Sequence, residues 1–280
     1  MSGSAVANLA PLRSRAAPPA MSNETALALN SVAPMAPTAA TAGARARKHD
    51  EERGYVLHTY PYSETSLIVE VFTRTNGRVP LVAKGARRSR SGALMQFQPF
   101  NLSWSGRGDL RTLKKAEWQG GLPPLPPARL FCGFYLNELM LKLLARDDAH
   151  ERLFDCYEEA LEQLACTAPE AQVLRNFEKS LLKETGYALV LTHDTDTGEI
   201  VDAGGRYAYI PSRGPRRLGH RSESCEVELS GQTLLDIDAG DFAHPRTASE
   251  AKQLMRMLIH HQMNGRPLAT RQIFSQLLEL

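Results

Sequence analysis

The residues best suited to chemistry in this sequence are bases clustered between positions 84 and 115. This stretch holds eight lysines and arginines against one acid, Asp109, and its net charge is +7. Over the whole chain the formal net charge is only +2, so the positive charge is strongly localised. Phe97, Phe100 and Trp104 are interleaved with the bases. Cations that bind phosphates and flat rings that stack on bases are what single-strand binding requires.

We therefore predict a nucleic-acid interface. The alternative is that the basic loop from 86 to 91 is simply solvated and that the aromatic side chains belong to a core. The residues expected to contact DNA are Arg78, Lys84, Arg87, Arg88, Arg90, Arg107, Arg111, Lys114 and Lys115.

A second candidate site lies in sequence of helical character, where bases recur at i, i+4 spacing beside an apolar row. The bases are Arg175, Lys179 and Lys183, and the row is Leu174, Phe177 and Leu181. A basic ridge next to an apolar groove could accept an acidic peptide with a hydrophobic end. A solvated helix face explains the same pattern, and the segment from Arg129 to Tyr187, with seven bases and eleven acids, is a poor surface for DNA.

The candidates for catalysis are acidic. Asp194, Asp196 and Asp202 have the spacing of a metal loop, but the glycine at 198 is misplaced for a calcium-binding EF-hand. A polar turn explains these residues more simply, because Asp, Thr and Gly favour turns. A metal-dependent phosphodiesterase or nuclease that uses the three carboxylates is the alternative function.

Other motifs favour neither a metal nor a cofactor. The four cysteines include no Cys-x-x-Cys pair and are interpreted as thiols in a reducing cytoplasm. His260 and His261 are adjacent, so their rings point apart on a helix. Residues 85–92 lack the Gly-Lys-Ser/Thr of a Walker loop. No apolar run is long enough to span a membrane.

Strands must position the basic cluster. β-branched and aromatic residues broken by turn signals predict five strands between Gly54 and Glu117. Asn76-Gly77 predicts a tight hairpin turn with positive φ angles, and Pro80 indicates an edge or a bulge. Five short strands with irregular loops favour a small barrel of the OB type.

A linker at 120–127 contains four prolines and two glycines. Two apolar helix faces with i, i+3, i+4 spacing follow it, the first at Leu136, Leu139, Met140, Leu143 and Leu144 and the second at Leu153, Phe154, Tyr157, Leu161 and Leu164. Thr167-x-x-Glu170 and Thr247-x-x-Glu250 are interpreted as capping boxes that open helices. The predicted fold class is α+β: an N-terminal five-stranded OB-fold barrel at 48–119, then an α-helical bundle domain at 128–280 with a small irregular insertion at about 190–246. Within the insertion, short strand-like pieces are predicted at Arg206 to Ile210 and at Cys225 to Leu229. Residues 1–47, with Glu24 as their one acid, are predicted to be a disordered extension.

Several ordered motifs resemble the RecO family. The run from Tyr55 to Leu67, the Leu81-Val-Ala-Lys-Gly-Ala-Arg87 segment and the Gly106-Arg-Gly-Asp-Leu-Arg-Thr-Leu113 segment look like the N-terminal domain of that family. Tyr135-Leu-Asn-Glu-Leu139 and Leu174-Arg-x-Phe-Glu178 look like its helical domain. Together the motifs cover about residues 48 to 275, in the same order.

The resemblance implies a recombination mediator that is not an enzyme and that works in the bacterial cytoplasm at the nucleoid. It implies binding to single- and double-stranded DNA, annealing of complementary strands, and help for RecA on DNA coated with single-strand-binding protein. RecR would be a direct partner and RecF a functional one.

The resemblance also implies that the acidic, phenylalanine-ended tail of single-strand-binding protein docks on the helical domain. The expected pocket residues are Leu174, Arg175, Phe177 and Lys179. Some family members carry a four-cysteine zinc site after the third helix, but residues 193–217 contain no cysteine, so we predict no metal.

Overall fold

The computed structural model describes residues 48–88, 94–166, 168–187, 189–219 and 227–278. The predicted disorder of residues 1–47 concerns a segment outside these ranges. Within the described ranges, no helix is long and apolar enough to cross a membrane.

Five strands form a closed barrel in the N-terminal part. The strands are β1 Lys48–Pro61, β2 Leu67–Thr73, β3 Gly77–Ala83, β4 Pro99–Ser105 and β5 Arg111–Trp118. Their order is β1-β2-β3-β5-β4, and pairing of β4 with β1 closes the barrel. Strands β3 and β5 run parallel, whereas the other neighbours are antiparallel. The predicted five-stranded OB-type barrel is confirmed.

The turn between β2 and β3 differs from the expected hairpin. Thr73 pairs with Gly77 across a three-residue loop, and of Asn76 and Gly77 only Gly77 has a positive φ, at 65°. The expectation of positive φ at both residues is therefore wrong. Pro80 lies in β3 one residue before the pairing with β5 starts at Leu81, so it does not interrupt the ladder between β3 and β5.

The barrel interior holds one hydrophobic cluster, built from inward residues of the strands. Outward residues Tyr55, Leu57 and Phe72 belong instead to the core of the helical part. The Tyr55 ring lies 5.3 Å from the Tyr157 ring and the Phe72 ring 5.5 Å from the Phe154 ring, measured between centroids. The outer face of the barrel and the helices thus share one core, which is separate from the cluster inside the barrel. The predicted boundary between the two domains stays a prediction.

A bulge in β1 fixes this junction. The register of β1 against β2 shifts between Val56 and His58, which leaves Leu57 unpaired. The carbonyl oxygen of Leu57 accepts a hydrogen bond from Asn137 Nδ2 at 2.9 Å, and Tyr157 donates its hydroxyl to Asn137 Oδ1 at 2.6 Å. All three residues are buried, so the bonds satisfy groups that water cannot reach.

Six helices are described. They are α1 Leu130–Leu143, α2 Glu151–Ala165, α3 Glu170–Glu184, α4 Gly231–Ala239, α5 Pro245–Gln262 and α6 Ala269–Leu278. The last helix packs on α1, where the carboxylate of Glu138 accepts hydrogen bonds from the backbone nitrogens of Ala269 and Thr270 at 2.7 and 2.9 Å. That carboxylate satisfies the free N–H groups at the start of α6.

The two predicted capping boxes do not begin the helices. Helix α5 begins at Pro245 with His244 as its cap, so Thr247 lies inside the helix and donates its hydroxyl to Asp236. Helix α3 begins at Glu170 with Pro169 at the cap, and Thr167 lies outside the described residues. Proline at the helix start fixes φ and favours these starts over the threonine boxes.

The insertion is more regular than expected. A three-stranded sheet with the order β7-β6-β8 contains β6 Arg206–Ile210, β7 Gly214–Arg217 and β8 Glu228–Ser230. Helix α4 follows β8 directly, and the Ser230 hydroxyl accepts from the Thr233 backbone nitrogen. The short helix escaped sequence analysis because nine residues show little periodicity.

Candidate nucleic-acid interface

The loop after β3 carries exposed bases and is bonded to the loop between β1 and β2. Lys84, Arg87 and Arg88 follow β3 and are exposed. The backbone nitrogen of Arg87 donates to the Thr65 carbonyl at 3.0 Å, and Arg87 Nη1 donates to the Ser63 carbonyl at 2.7 Å. These bonds hold the loop after β3 against the loop between β1 and β2. Arg90, also predicted to contact DNA, lies outside the described residues.

The aromatic side chains near these bases are not the expected ones. Phe97, Phe100 and Trp104 are 5%, 2% and 0% exposed, so they are core residues, which is the alternative to stacking that the sequence left open. Tyr60 and Tyr62 are 43% and 56% exposed and lie at the end of β1 and in the loop bonded to Arg87. The sequence offered a signal for their exposure, because the two rings directly precede a Ser-Glu-Thr turn and a strand end that enters a loop is usually solvated.

The predicted bases on β5 have mixed surroundings. Lys114 is exposed and is the unpaired residue of a bulge, since Ser103 pairs with Lys115 and Trp104 with Leu113. Lys115 bridges Glu51 at 2.8 Å and Glu117 at 2.9 Å, and hydrogen bonds to these carboxylates raise the pKa of its ammonium group. Arg111 Nη2 lies 2.8 Å from Asp147 Oδ1. Arg107 is exposed in the turn between β4 and β5.

Arg78 serves the junction with the helices. Its Nη1 donates to the Leu141 carbonyl at the end of α1, and its Nε lies 3.5 Å from a carboxylate oxygen of Glu70. Arg146, in the loop after α1, donates to the other oxygen of Glu70. Burial lowers the pKa of Arg78 although Glu70 acts to raise it. Arg78, Arg111 and Lys115 are therefore held in ion pairs, whereas Lys84, Arg87, Arg88 and Lys114 present the exposed charge.

The expected basic ridge on α3 is not continuous, because Arg175 is buried. The guanidinium of Arg175 donates to Glu178, which also accepts the Tyr135 hydroxyl at 2.6 Å. Phe177 is 2% exposed and Leu181 is fully buried, so this row closes the core and leaves no open groove.

The other members of the ridge have different roles. Lys179 donates to the carbonyls of Ile237 and Asp238 at the end of α4, at 2.9 and 2.6 Å. Leu174 is half-buried and Lys183 is exposed. Burial raises the pKa of the Glu178 carboxyl, although Arg175 and the Tyr135 hydroxyl both act to lower it. The Nε–H of Arg175 has no hydrogen-bond partner among the described residues.

The acidic loop after α3 is organised as a turn. Asp194 Oδ1 accepts from the backbone nitrogens of Asp196 and Thr197, both at 2.8 Å, and Oδ2 accepts from that of Arg217. Burial acts to raise the pKa of Asp194, but these hydrogen bonds outweigh it and lower the pKa. Asp196 faces Arg213 and Asp202 faces Arg217 in ion pairs. Nothing in this geometry favours a nuclease, and the described residues contain no group of three His, Cys, Asp or Glu able to hold a metal.

A closed five-stranded barrel of this strand order, joined to helices, defines an OB-fold protein. The profile of the N-terminal domain of recombination protein O matches residues 49–121, and the profile of its C-terminal domain matches residues 126–272. The chain therefore belongs to the RecO family of DNA repair proteins.

Relatives support this assignment along almost their whole length. DNA repair protein RecO of Dechloromonas aromatica is 52% identical over 240 residues, which are 83% of this chain and 98% of the relative. The RecO protein of Azoarcus sp. is 50% identical over 82% of this chain and 97% of its own. That of Ralstonia nicotianae is 48% identical over 91% of this chain and 94% of its own.

Proposed function

We propose that this protein binds single- and double-stranded DNA, anneals complementary strands and helps RecA replace single-strand-binding protein, without enzymatic chemistry. The observation that carries the proposal is the cluster of exposed bases on the loop after β3, which is held against the loop between β1 and β2. Membership of the RecO family supports the recombination role. RecR as a partner, a functional link to RecF and a cytoplasmic location belong to the same proposal.

The mechanism rests on charge neutralisation. Two DNA strands repel each other through their phosphates, and a lysine or arginine that binds a phosphate releases a condensed counterion. Lys84, Arg87, Arg88 and Lys114 would lower the repulsion between an incoming strand and a bound one. Arg107 and, outside the described residues, Arg90 extend the proposed surface. The ion-paired Arg78, Arg111 and Lys115 contribute to the positive field more than to direct contacts.

Capture of the acidic tail of single-strand-binding protein is proposed for the surface near Arg175 and Leu174. The unpartnered Nε–H of Arg175 offers a donor for a carboxylate. Because Arg175 is 8% exposed, a tail must reach it beside the half-buried Leu174. Phe177 would pack beneath this surface in the core, and Lys179 would fix it to the end of α4 through its hydrogen bonds there.

The function is tested by annealing of complementary strands that are already coated with single-strand-binding protein. We expect the full chain to speed annealing without ATP and to leave both strands intact. Cleavage of labelled DNA with magnesium or manganese would instead favour a nuclease. Annealing no faster than in buffer, at low salt and with an excess of protein, would contradict the proposal.

Replacement of Tyr62 by alanine is expected to cost about 1–3 kcal/mol of single-strand binding free energy, the usual contribution of one stacked base. Tyr62→Phe keeps the ring and should bind as the unaltered chain does. Tyr187→Ala removes a ring that is 39% exposed on the helical part and serves as the matched control. Fluorescence anisotropy of a labelled single strand measures all three, and equal affinities for Tyr62→Ala and the control would exclude stacking by Tyr62.

A further inference from the structure

A cleft of about 900 Å³ lies between α5 and α6, apart from the barrel loops. Its polar lining contains no carboxylate among the described residues. Five bases line it, and they are Lys252, Arg256, His260, Arg266 and Arg271. A concave surface with this charge selects an anionic ligand, because clefts lined by one sign of charge focus the electric field.

Three of the five bases in the cleft have no ion-pair partner among the described residues, whereas Arg271 acts to lower the pKa of the buried Glu178 carboxyl. Arg246, on the first turn of α5, pairs with Glu250 at 2.7 Å. Lys252, Arg256 and Arg266 are exposed and make no ion pair with any described residue. From 244 to 278 the sequence holds five lysines and arginines and one acid. The charge that α5 and α6 leave uncompensated is therefore gathered at the cleft.

Apolar atoms form the larger part of the accessible lining of the cleft, and the five bases supply its charge. Met257, Ile259, Met263 and Leu268 are 3–6% exposed and belong to the core. Each of these four side chains is little exposed by itself, and the feature of the cleft that points to a ligand is its charge, not an apolar pocket. The five bases favour a ligand that carries several negative charges.

We propose that this cleft binds the phosphodiester backbone of a DNA strand, as a second nucleic-acid contact separate from the barrel loops. Lys252, Arg256 and His260 stand at successive i, i+4 positions of α5, so the three side chains form a row along one face at intervals of about 6 Å. Arg266, between α5 and α6, and Arg271, on α6, also line the cleft. A polymer with a regular anionic repeat can contact such a row at several points, and a compact anion cannot.

The inference rests on the proposed DNA binding and gives it a second surface. With one strand on the barrel loops and another along α5, one molecule holds both partners of an annealing reaction. Annealing would then depend on the cleft more strongly than binding of a short single strand does.

The test compares the full chain with a cleft variant, Lys252→Gln/Arg256→Gln/Arg266→Gln. Its control, Lys183→Gln/Arg213→Gln/Arg246→Gln, removes the same charge from exposed positions on the helical part outside the cleft. Anisotropy titrations of a long single strand at several salt concentrations give the slope of log K against log salt. Three lost phosphate contacts should reduce that slope by about 2 for the cleft variant. We also expect an annealing rate at least fivefold lower, and little change in either quantity for the control.

A slope and an annealing rate equal to those of the control would overturn the inference. So would a cleft variant that keeps its DNA slope but loses binding to an acidic peptide ending in phenylalanine, since the cleft would then be a peptide dock. A third variant, Lys84→Gln/Arg87→Gln/Arg88→Gln, separates the two proposals. If only this variant loses DNA affinity, the proposed function stands and the cleft fails. If the unaltered chain shows no salt-dependent DNA binding, the proposed function itself fails.

Discussion

Glu70→Ala is expected to lower the free energy of unfolding by about 3–5 kcal/mol, the usual cost of removing one partner from a buried ion pair. The side chain of Glu70 is 4% exposed and lies between the guanidinium groups of Arg78 and Arg146. Arg78 is itself only 14% exposed, so without Glu70 its charge would stay in a poorly solvated place with no counter-charge. The substitution would also remove a contact that joins the barrel to the loop after α1.

Urea denaturation followed by far-UV circular dichroism measures the loss, and an unchanged m value would show that both chains unfold in the same manner. Glu117→Gln is the control, because Glu117 is 53% exposed and pairs with Lys115 at the surface. We expect the control to cost less than about 1 kcal/mol. A loss for Glu70→Ala as small as that of the control would mean that water replaces the missing carboxylate.

Lys84→Gln/Arg87→Gln/Arg88→Gln is expected to weaken single-strand binding on the order of 100-fold at low salt, because three phosphate contacts and their counterion release would be lost. The three side chains are exposed, so the barrel should keep its stability. The loss should shrink as salt rises, since screening already weakens the contacts in the unaltered chain. An oligonucleotide titration at low and moderate salt measures both effects.

The matched control for charge is again Lys183→Gln/Arg213→Gln/Arg246→Gln, which changes the net charge equally at exposed positions on the helical part. If the control lost as much affinity as the loop variant, the effect would come from the overall field of the protein. Thermal unfolding of both variants shows whether the fold survives. Equal affinities for the loop variant and the unaltered chain would remove the barrel loops from the proposed site.

Much of the barrel followed from the sequence because its signals are local. Alternation in strands, the glycine at position 77 and the proline-rich linker act over a few residues and specified strand number and order of elements. The apolar faces of α1 and α2 were predicted in the same way, from a helical period. In the insertion, strand-like residues were predicted at 206–210, where β6 lies, but β7 and the nine-residue helix α4 were missed because such short elements show little periodicity.

The candidate sites were harder, because burial depends on tertiary packing. The i, i+4 spacing of Arg175 and Lys179 correctly placed both on one helix. It could not show that Arg175 is buried and donates to Glu178. Nor could it show that Lys179 donates to a carbonyl at the end of α4. Phe100 and Trp104 have the types expected of stacking residues, yet their positions in β4 point them into the barrel. The cleft between α5 and α6 depends on residues from two helices that meet only after folding.

The bulge at Leu57 limits how this chain could be divided. A barrel separated from the helices would expose Tyr55, Leu57 and Phe72 and leave the Leu57 carbonyl without its Asn137 donor. Such a fragment would expose a contiguous apolar surface and is expected to aggregate. Recombination between related genes could therefore exchange loops such as 84–88 with little penalty, whereas exchange of the whole barrel would require the matching faces of α1 and α2 to be inherited with it.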